Sequence, residues 1–183
     1  MFIHSGIVLR PVEQGDLENI RKLRNDPSTW GQLTSIAHVS PDQQAAWFAG
    51  LQGDKARSYL AVFVEASDPD GVASWEGDFI GIVRLTEIDL VNRSVCVGAD
   101  VVARVRGQGY GTRIYKALLK YLFDYGNYRR LWLLVLDTNA IGKRLYANVG
   151  FKDEGRMRQA IFRDGQYRDY LLMSILEDEY RAK

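Results

Sequence analysis

Few folds can accommodate the run Leu131-Trp132-Leu133-Leu134-Val135-Leu136. Six apolar side chains in a row, none of them charged, have the length of a strand, and such a strand is expected to be buried on both faces of a sheet. Trp132, inside it, is expected in the core. Other strand signals surround this run. Ile7 to Leu9 is closed by Arg10-Pro11, and Tyr59 to Val64 alternates. Phe79 to Leu85 and Ser94 to Val102 are joined by a polar turn at Asn92-Arg93, and Tyr170 to Leu176 comes last. Phe162 and Tyr167 flank Arg163-Asp164-Gly165-Gln166, a hairpin turn.

Helical signals alternate with these strands. Asp16 can cap a helix with Leu17, Ile20 and Leu23 on its apolar face, stopping before Pro27. Ser40-Pro41-Asp42-Gln43 has capping-box spacing with proline at the first helical position, and Trp47, Phe48 and Leu51 follow. Ile114, Leu118 and Leu122 form a third pattern ending near Gly126, and Ala140 to Val149 a fourth, stopped by Gly150. Asp68-Pro69-Asp70-Gly71 has turn chemistry. The alternation predicts a mixed α/β domain around one central sheet, with no linker or repeat.

Composition excludes several functions. The 183 residues carry a formal net charge of +1, so no global attraction to nucleic acid or an anionic membrane is indicated. Cys96 is the single cysteine, which removes intrachain disulfides and Cys₄ or Cys₂His₂ zinc sites; no metal is expected. The start, Met-Phe-Ile-His-Ser-Gly, has no basic, long-apolar leader pattern, and no apolar run is long enough to span a bilayer. A cytoplasmic setting is the expectation.

The chemistry is carried by Arg106-Gly107-Gln108-Gly109-Tyr110-Gly111, between a strand and a helix. Glycines let the backbone approach an anion, and the N–H groups of a helix start point at it with the helix dipole behind them. From Val101 to Phe123 there are five basic residues (Arg104, Arg106, Arg113, Lys116, Lys120) and no acidic one. Taken alone, a glycine loop is more often a turn beside a solvated basic helix face. Two nucleotide loops fail here. A P-loop needs Gly-Lys-Ser/Thr, and Gly111 is followed by Thr112-Arg113. A dinucleotide fingerprint needs a third glycine and an acidic residue about 20 residues on, where this chain has Tyr128-Arg129-Arg130.

Arg106-x-x-Gly109-x-Gly111 resembles the acetyl-CoA loop of the Gcn5-related N-acetyltransferases. Asn139-Ala-Ile-Gly142-Lys143-Arg144-Leu145-Tyr146-Ala-Asn-Val-Gly150-Phe151 resembles the second half of that family's signature. The tail Glu154-Gly155-Arg156-x-Arg158…Phe162-Arg163-x-Gly165-x-Tyr167-x-Asp169 is similar to the branch of ribosomal-protein N-terminal and nucleotide-linked amino-sugar acetyltransferases. Leu23-Arg24-Asn25-Asp26-Pro27 is common in that branch too. The likeness runs from roughly residue 7 to 176 of one domain spanning 1–183. It implies a mixed sheet of about seven strands flanked by about four helices.

The resemblance also implies roles. Backbone groups of Val101 and Val102, on a splayed strand, would hold the pantetheine arm and acetyl group. The loop from Arg106 through Gly107, Gln108, Gly109, Tyr110 and Gly111 to Thr112 would bind the pyrophosphate. Asn139 would hydrogen-bond the pantetheine, Lys143 would reach the phosphates, and Tyr146 would protonate the leaving thiolate. Asn139 as a plain N-cap and Tyr146 as a packing residue are the alternatives.

A primary amine must lose a proton before attack, so a base or water chain is needed. Many relatives carry a glutamate early in the strand before the loop, where this chain has Ser94-Val95-Cys96. Cys96 is expected to be a small core residue. Candidate bases are Glu87, the first choice, and Asp100; His38 and relayed water are further alternatives.

The acceptor is less defined. Asp54 to Asp89 holds eight acidic and three basic residues, a surface for a cationic amine or simply solvated loops. Arg156 and Arg158 would suit an anionic acceptor. Trp30 and Trp47 could line a cleft, though core packing is commoner for such aromatics. The leading expectation is N-acetylation of a small-molecule or sugar amine. Acetylation of a protein N-terminus and a CoA-binding module without turnover are the alternatives. The resemblance also implies a homodimer through the last hairpin.

Overall fold

The computed structural model describes residues 1–30, 38–67, 73–74 and 77–182. In chain order its elements begin with β1 (Phe2–His4), β2 (Ile7–Pro11), α1 (Leu17–Asn25), α2 (Pro27–Trp30) and α3 (Pro41–Ala49). Next come β3 (Ser58–Val64), β4 (Ala66–Ser67), β5 (Ala73–Ser74), β6 (Phe79–Asp89) and β7 (Ser94–Val101). Then follow α4 (Tyr110–Lys120), β8 (Arg130–Leu136), α5 (Ala140–Val149), β9 (Lys152–Arg163), β10 (Gln166–Leu176) and α6 (Glu177–Arg181). A π-helical turn, Tyr121–Tyr125, continues α4 to Gly126.

Local chemistry explains most boundaries. At α3 the Gln43 N–H donates to Ser40 Oγ at 3.1 Å, and the Ser40 N–H donates to Gln43 Oε1 at 2.9 Å. Gly150 ends α5 at φ +110°, a conformation costly for any residue with a Cβ. Asp164 and Gly165, both at positive φ, turn β9 into β10. Asp16 departs from expectation, because its side chain does not cap α1. Instead the nearly buried carboxylate accepts two bonds from Arg10, at 2.7 and 2.8 Å, and one from the Glu13 N–H. A buried guanidinium, itself laid over the Phe63 ring, is a stronger partner than a helix N–H.

Eight strands form one sheet in the order β1-β2-β3-β6-β7-β8-β10-β9, one more than expected; β4 and β5 pair separately. The extra strand, β1, folds back on β2 through Ser5-Gly6, both at positive φ. Six α-helices appear among the described residues, rather than about four; α2 and α6 are the short additions. All pairings are antiparallel except β7 with β8, the two strands joined by the α4 crossover. The Asp68–Gly71 turn lies outside the described residues.

Helices α4 and α5 cover one face and bury Ile114, Leu118, Leu122 and Val149 against Val95, Val97, Leu131, Leu133 and Val135. On the other face α1 and α3 pack Ile20, Leu23, Trp47 and Phe48 against β2, β3 and β6, with Ile3 of β1 and Val102 at the margins. This corrects the reading of β8. Leu131, Leu133 and Val135 are buried, whereas Trp132 and Leu134, on the opposite face, are only half-buried. No described helix reaches over that face of β8. Among the described residues no helix is long and apolar enough to cross a membrane.

Candidate active site

The parallel ladder between β7 and β8 has three pairs, Ser94 with Arg130, Val95 with Leu131 and Cys96 with Trp132. Beyond Cys96 the strands part, although β7 continues to Val101 and β8 to Leu136. On its other edge β7 stays paired with β6 as far as Val101 opposite Gly81. The Val102 N–H donates to Ile80 O at 2.9 Å. An antiparallel ladder alternates, so Asp100 and Gly98 also face β6, while the Val97 carbonyl and the backbones of Ala99 and Val101 face the gap.

Of the two residues expected to present backbone there, Val101 does so and Val102 does not. Both polar groups of Val102 are committed within the chain, its carbonyl accepting from the Val105 N–H at 3.2 Å. The Val101 carbonyl accepts from the Arg106 guanidinium at 3.0 and 3.2 Å, leaving its N–H toward the gap.

The glycine loop stands at the mouth of this gap. Gly107 and Gly109 have φ of +75° and +80°, and a Cβ on either would meet no atom within 4 Å, so the space above the loop is open. Gly109 is the N-cap of α4 and Arg113 is the first N–H to donate into the helix, which leaves the amides of Tyr110, Gly111 and Thr112 ahead of it. No acidic residue stands in the first turn. The loop therefore fits an anionic pyrophosphate. Gly111 has a different reason: a Cβ there would come within 2.5 Å of Leu145 Cδ1, so its absence lets α4 pack on α5.

Several expected ligand residues have protein partners. Arg106 braces the loop, donating to Ser28 O and Oγ and to Thr29 Oγ1 as well as Val101. Gln108 Nε2 donates to Arg104 O, and Lys143 Nζ to Asp137 O, both at 2.7 Å. Asn139 is the N-cap of α5, its Oδ1 accepting from the Gly142 N–H at 2.8 Å.

Tyr146 is half-buried on α5, with its ring edge-on to Tyr115 at 5.1 Å and tilted against Phe151 at 6.0 Å. Burial pushes its phenol pKa up, the Asp100 carboxylate acts in the same sense and the Arg84 guanidinium in the opposite one. It therefore holds its proton at neutral pH and can donate it. Tyr115 is 2% exposed, and its hydroxyl reaches no partner at hydrogen-bonding geometry.

The candidate bases separate in space. Asp100 is ion-paired with Arg84 beside the gap, and its side chain is 13% exposed. Glu87 sits in a bulge of β6 at φ +50°, exposed, where the register with β7 slips between Thr86 and Asp89. That places it at the closed end of the gap, near enough to Cys96 to help burial raise the thiol pKa. His38 is exposed before α3. Arg156 bonds Asp169 on the β9–β10 hairpin, away from α4. The Trp30 side chain lies outside the described set.

Two residues escaped the sequence reading, Arg84 and Tyr115. Arg84 is a charge inside an apolar strand, in phase with Ile82 and Thr86, and that was its signal. Tyr115 sat in the apolar stripe of α4 and gave none.

A sheet split after three parallel pairs, with a glycine loop capping the crossover helix, defines the acyl-CoA-binding class of α/β fold. The sequence matches the profile described as "Acetyltransferase (GNAT) domain" over residues 7–152, and the chain belongs to that family. It is an acetyltransferase with acetyl-CoA as its cosubstrate. It is 27% identical over 180 residues to a spermidine N(1)-acetyltransferase of Escherichia coli, covering 97% of this chain and 89% of the relative. It is 24% identical over 185 residues to the putative ribosomal N-acetyltransferase YdaF of Bacillus subtilis, covering 99% and 97%. The crystal structure of a spermidine N-acetyltransferase from Vibrio cholerae with CoA and spermine superposes with a TM-score of 0.85, at 26% identity over 97% of this chain and 99% of that one.

Proposed function

We propose that the chain, acting as one domain over residues 1–183, transfers the acetyl group of acetyl-CoA directly to a primary amine of a small molecule. The observation that carries this reading is the gap between β7 and β8, with Tyr146 beside it and the open glycine loop at its mouth. Acetyl-CoA supplies an activated thioester. The N–H groups of Tyr110, Gly111 and Thr112 hold its pyrophosphate through charge-assisted hydrogen bonds. The gap-facing N–H groups of Ala99 and Val101 hold the pantetheine and stabilise the oxyanion as the amine attacks. Tyr146 protonates the departing thiolate. Asp100, rather than Glu87, receives the amine proton, directly or through water, because it lies along the open part of the gap and Glu87 at its closed end.

The Escherichia coli and Vibrio cholerae relatives, both named for spermidine, support a small-molecule acceptor over a protein N-terminus. Two copies pair through β9, an exposed edge strand carrying Met157 and Phe162, which light scattering of the purified protein tests.

The deciding experiment is steady-state release of CoA thiol with saturating acetyl-CoA and a panel of amines. Tyr146→Phe is expected to lower kcat by roughly 100-fold or more without weakening acetyl-CoA binding. An unchanged kcat would remove the general-acid role.

A further inference from the structure

We propose that the acceptor bears an anionic group, a carboxylate or a phosphate, beside the amine that is acetylated, and that Arg84 selects it. This rests on the acetyltransferase reading and narrows its acceptor.

Arg84 belongs to β6 and stands opposite Gly98 of β7. Its guanidinium is laid across Gly98: a Cβ at that position would come within 2.7 Å of Nη2 and 3.3 Å of Nε. Gly98 is the second residue past the last β7–β8 pair. The missing side chain thus lets a cation cross β7 and reach the lip of the gap. Arg84 stays about a third exposed there. Its Nη1 is held by Asp100, and among the described residues Nε and Nη2 make no hydrogen bond.

The donor's loop and helices α4 and α5 occupy the other face, so the amine must approach from the Arg84 side. It meets a positive and a negative group side by side. An acceptor with an amine and an anion a few ångströms apart complements both, its anion on Nε and Nη2 and its amine toward Asp100. A polycation does not. Every further ammonium group of a polyamine would have to stand beside the Arg84 guanidinium, whose Nε and Nη2 face the acceptor.

The test compares kcat/KM of the purified enzyme on an alkylamine, spermidine, β-alanine and phosphoethanolamine, with acetyl-CoA saturating. An anion-bearing amine is expected to exceed the alkylamine by roughly 10- to 100-fold, with spermidine the poorest. Arg84→Gln is expected to collapse that ratio mainly through KM, and Arg84→Lys, which keeps the charge should the first variant misfold, to retain part of it. Spermidine outperforming both anion-bearing amines overturns the inference and leaves the acetyltransferase reading standing. So does an unchanged ratio in Arg84→Gln, or failure of every anion-bearing amine to be bound or acetylated while acetyl-CoA binds by calorimetry. Absence of acetyl-CoA binding overturns both.

Discussion

Tyr115→Phe separates stability from catalysis in a single atom. The hydroxyl it deletes is buried and unpaired, a state that costs about 1–3 kcal/mol relative to a satisfied or absent group. The ring remains, and with it the edge-on contacts to Tyr146 at 5.1 Å and Phe151 at 6.0 Å. The small void left by one oxygen offsets part of the gain, so the variant is expected to be more stable by about 1 kcal/mol, raising Tm by about 2–4 °C for a chain of this size. Activity is expected to stay within about twofold, because an unpaired hydroxyl supplies no hydrogen bond to Tyr146 and the ring contacts that hold Tyr146 remain. Urea unfolding and a kcat–pH series measure both. A variant less stable than the parent by 1 kcal/mol would refute the reasoning, since it would mean that the hydroxyl is satisfied in solution.

Gly109→Ala places a Cβ at φ +80° in open space, so its stability cost is backbone strain alone, about 1–2 kcal/mol. The same methyl projects toward the pyrophosphate position, and calorimetry should find acetyl-CoA binding weakened by roughly tenfold or more. Glu154 is held by Arg130, with Ser174 also donating, at a pKa of about 2 against an ordinary 4.5. Its contribution is therefore fully present above about pH 4.5 and lost as pH falls through 2, about 1–2 kcal/mol after solvent screening. Glu154→Gln should flatten the acid limb of stability measured by urea unfolding, and an unaltered slope between pH 5 and 3 would contradict that assignment.

What the sequence disclosed was local. The Ser40–Gln43 capping box, the Gly150 stop and the Asp164-Gly165 turn depend on neighbours within a few residues, so their spacing alone announces them. The glycine loop and the Tyr146 segment were legible as motifs for the same reason. What depended on distant partners was not. Asp16 has a capping position but belongs to Arg10 from another element. Trp132 lies in an apolar run, yet its burial is decided by where α1 and α3 pack. Arg84 reads as one charge in a strand until Gly98 is seen across from it. Arg106 matches its motif while its guanidinium ties α2 to β7. The three-residue β1 is too short to establish a period, although Ser5-Gly6 marks its turn.

The three-pair ladder gives the sheet an unusual mechanical character. Two plates, one ending at β7 and the other beginning at β8, are riveted at one end and free at the other. The amides of Ala99 and Val101 sit near the middle of the molecule but lack a strand on their outer side, so hydrogen exchange is expected to find them less protected than the paired amides of β6. A ligand that lines up its own amides along this slot acts as a short surrogate strand. It joins the two plates and carries load between them, so the enzyme is a stiffer body when charged with its donor than when empty.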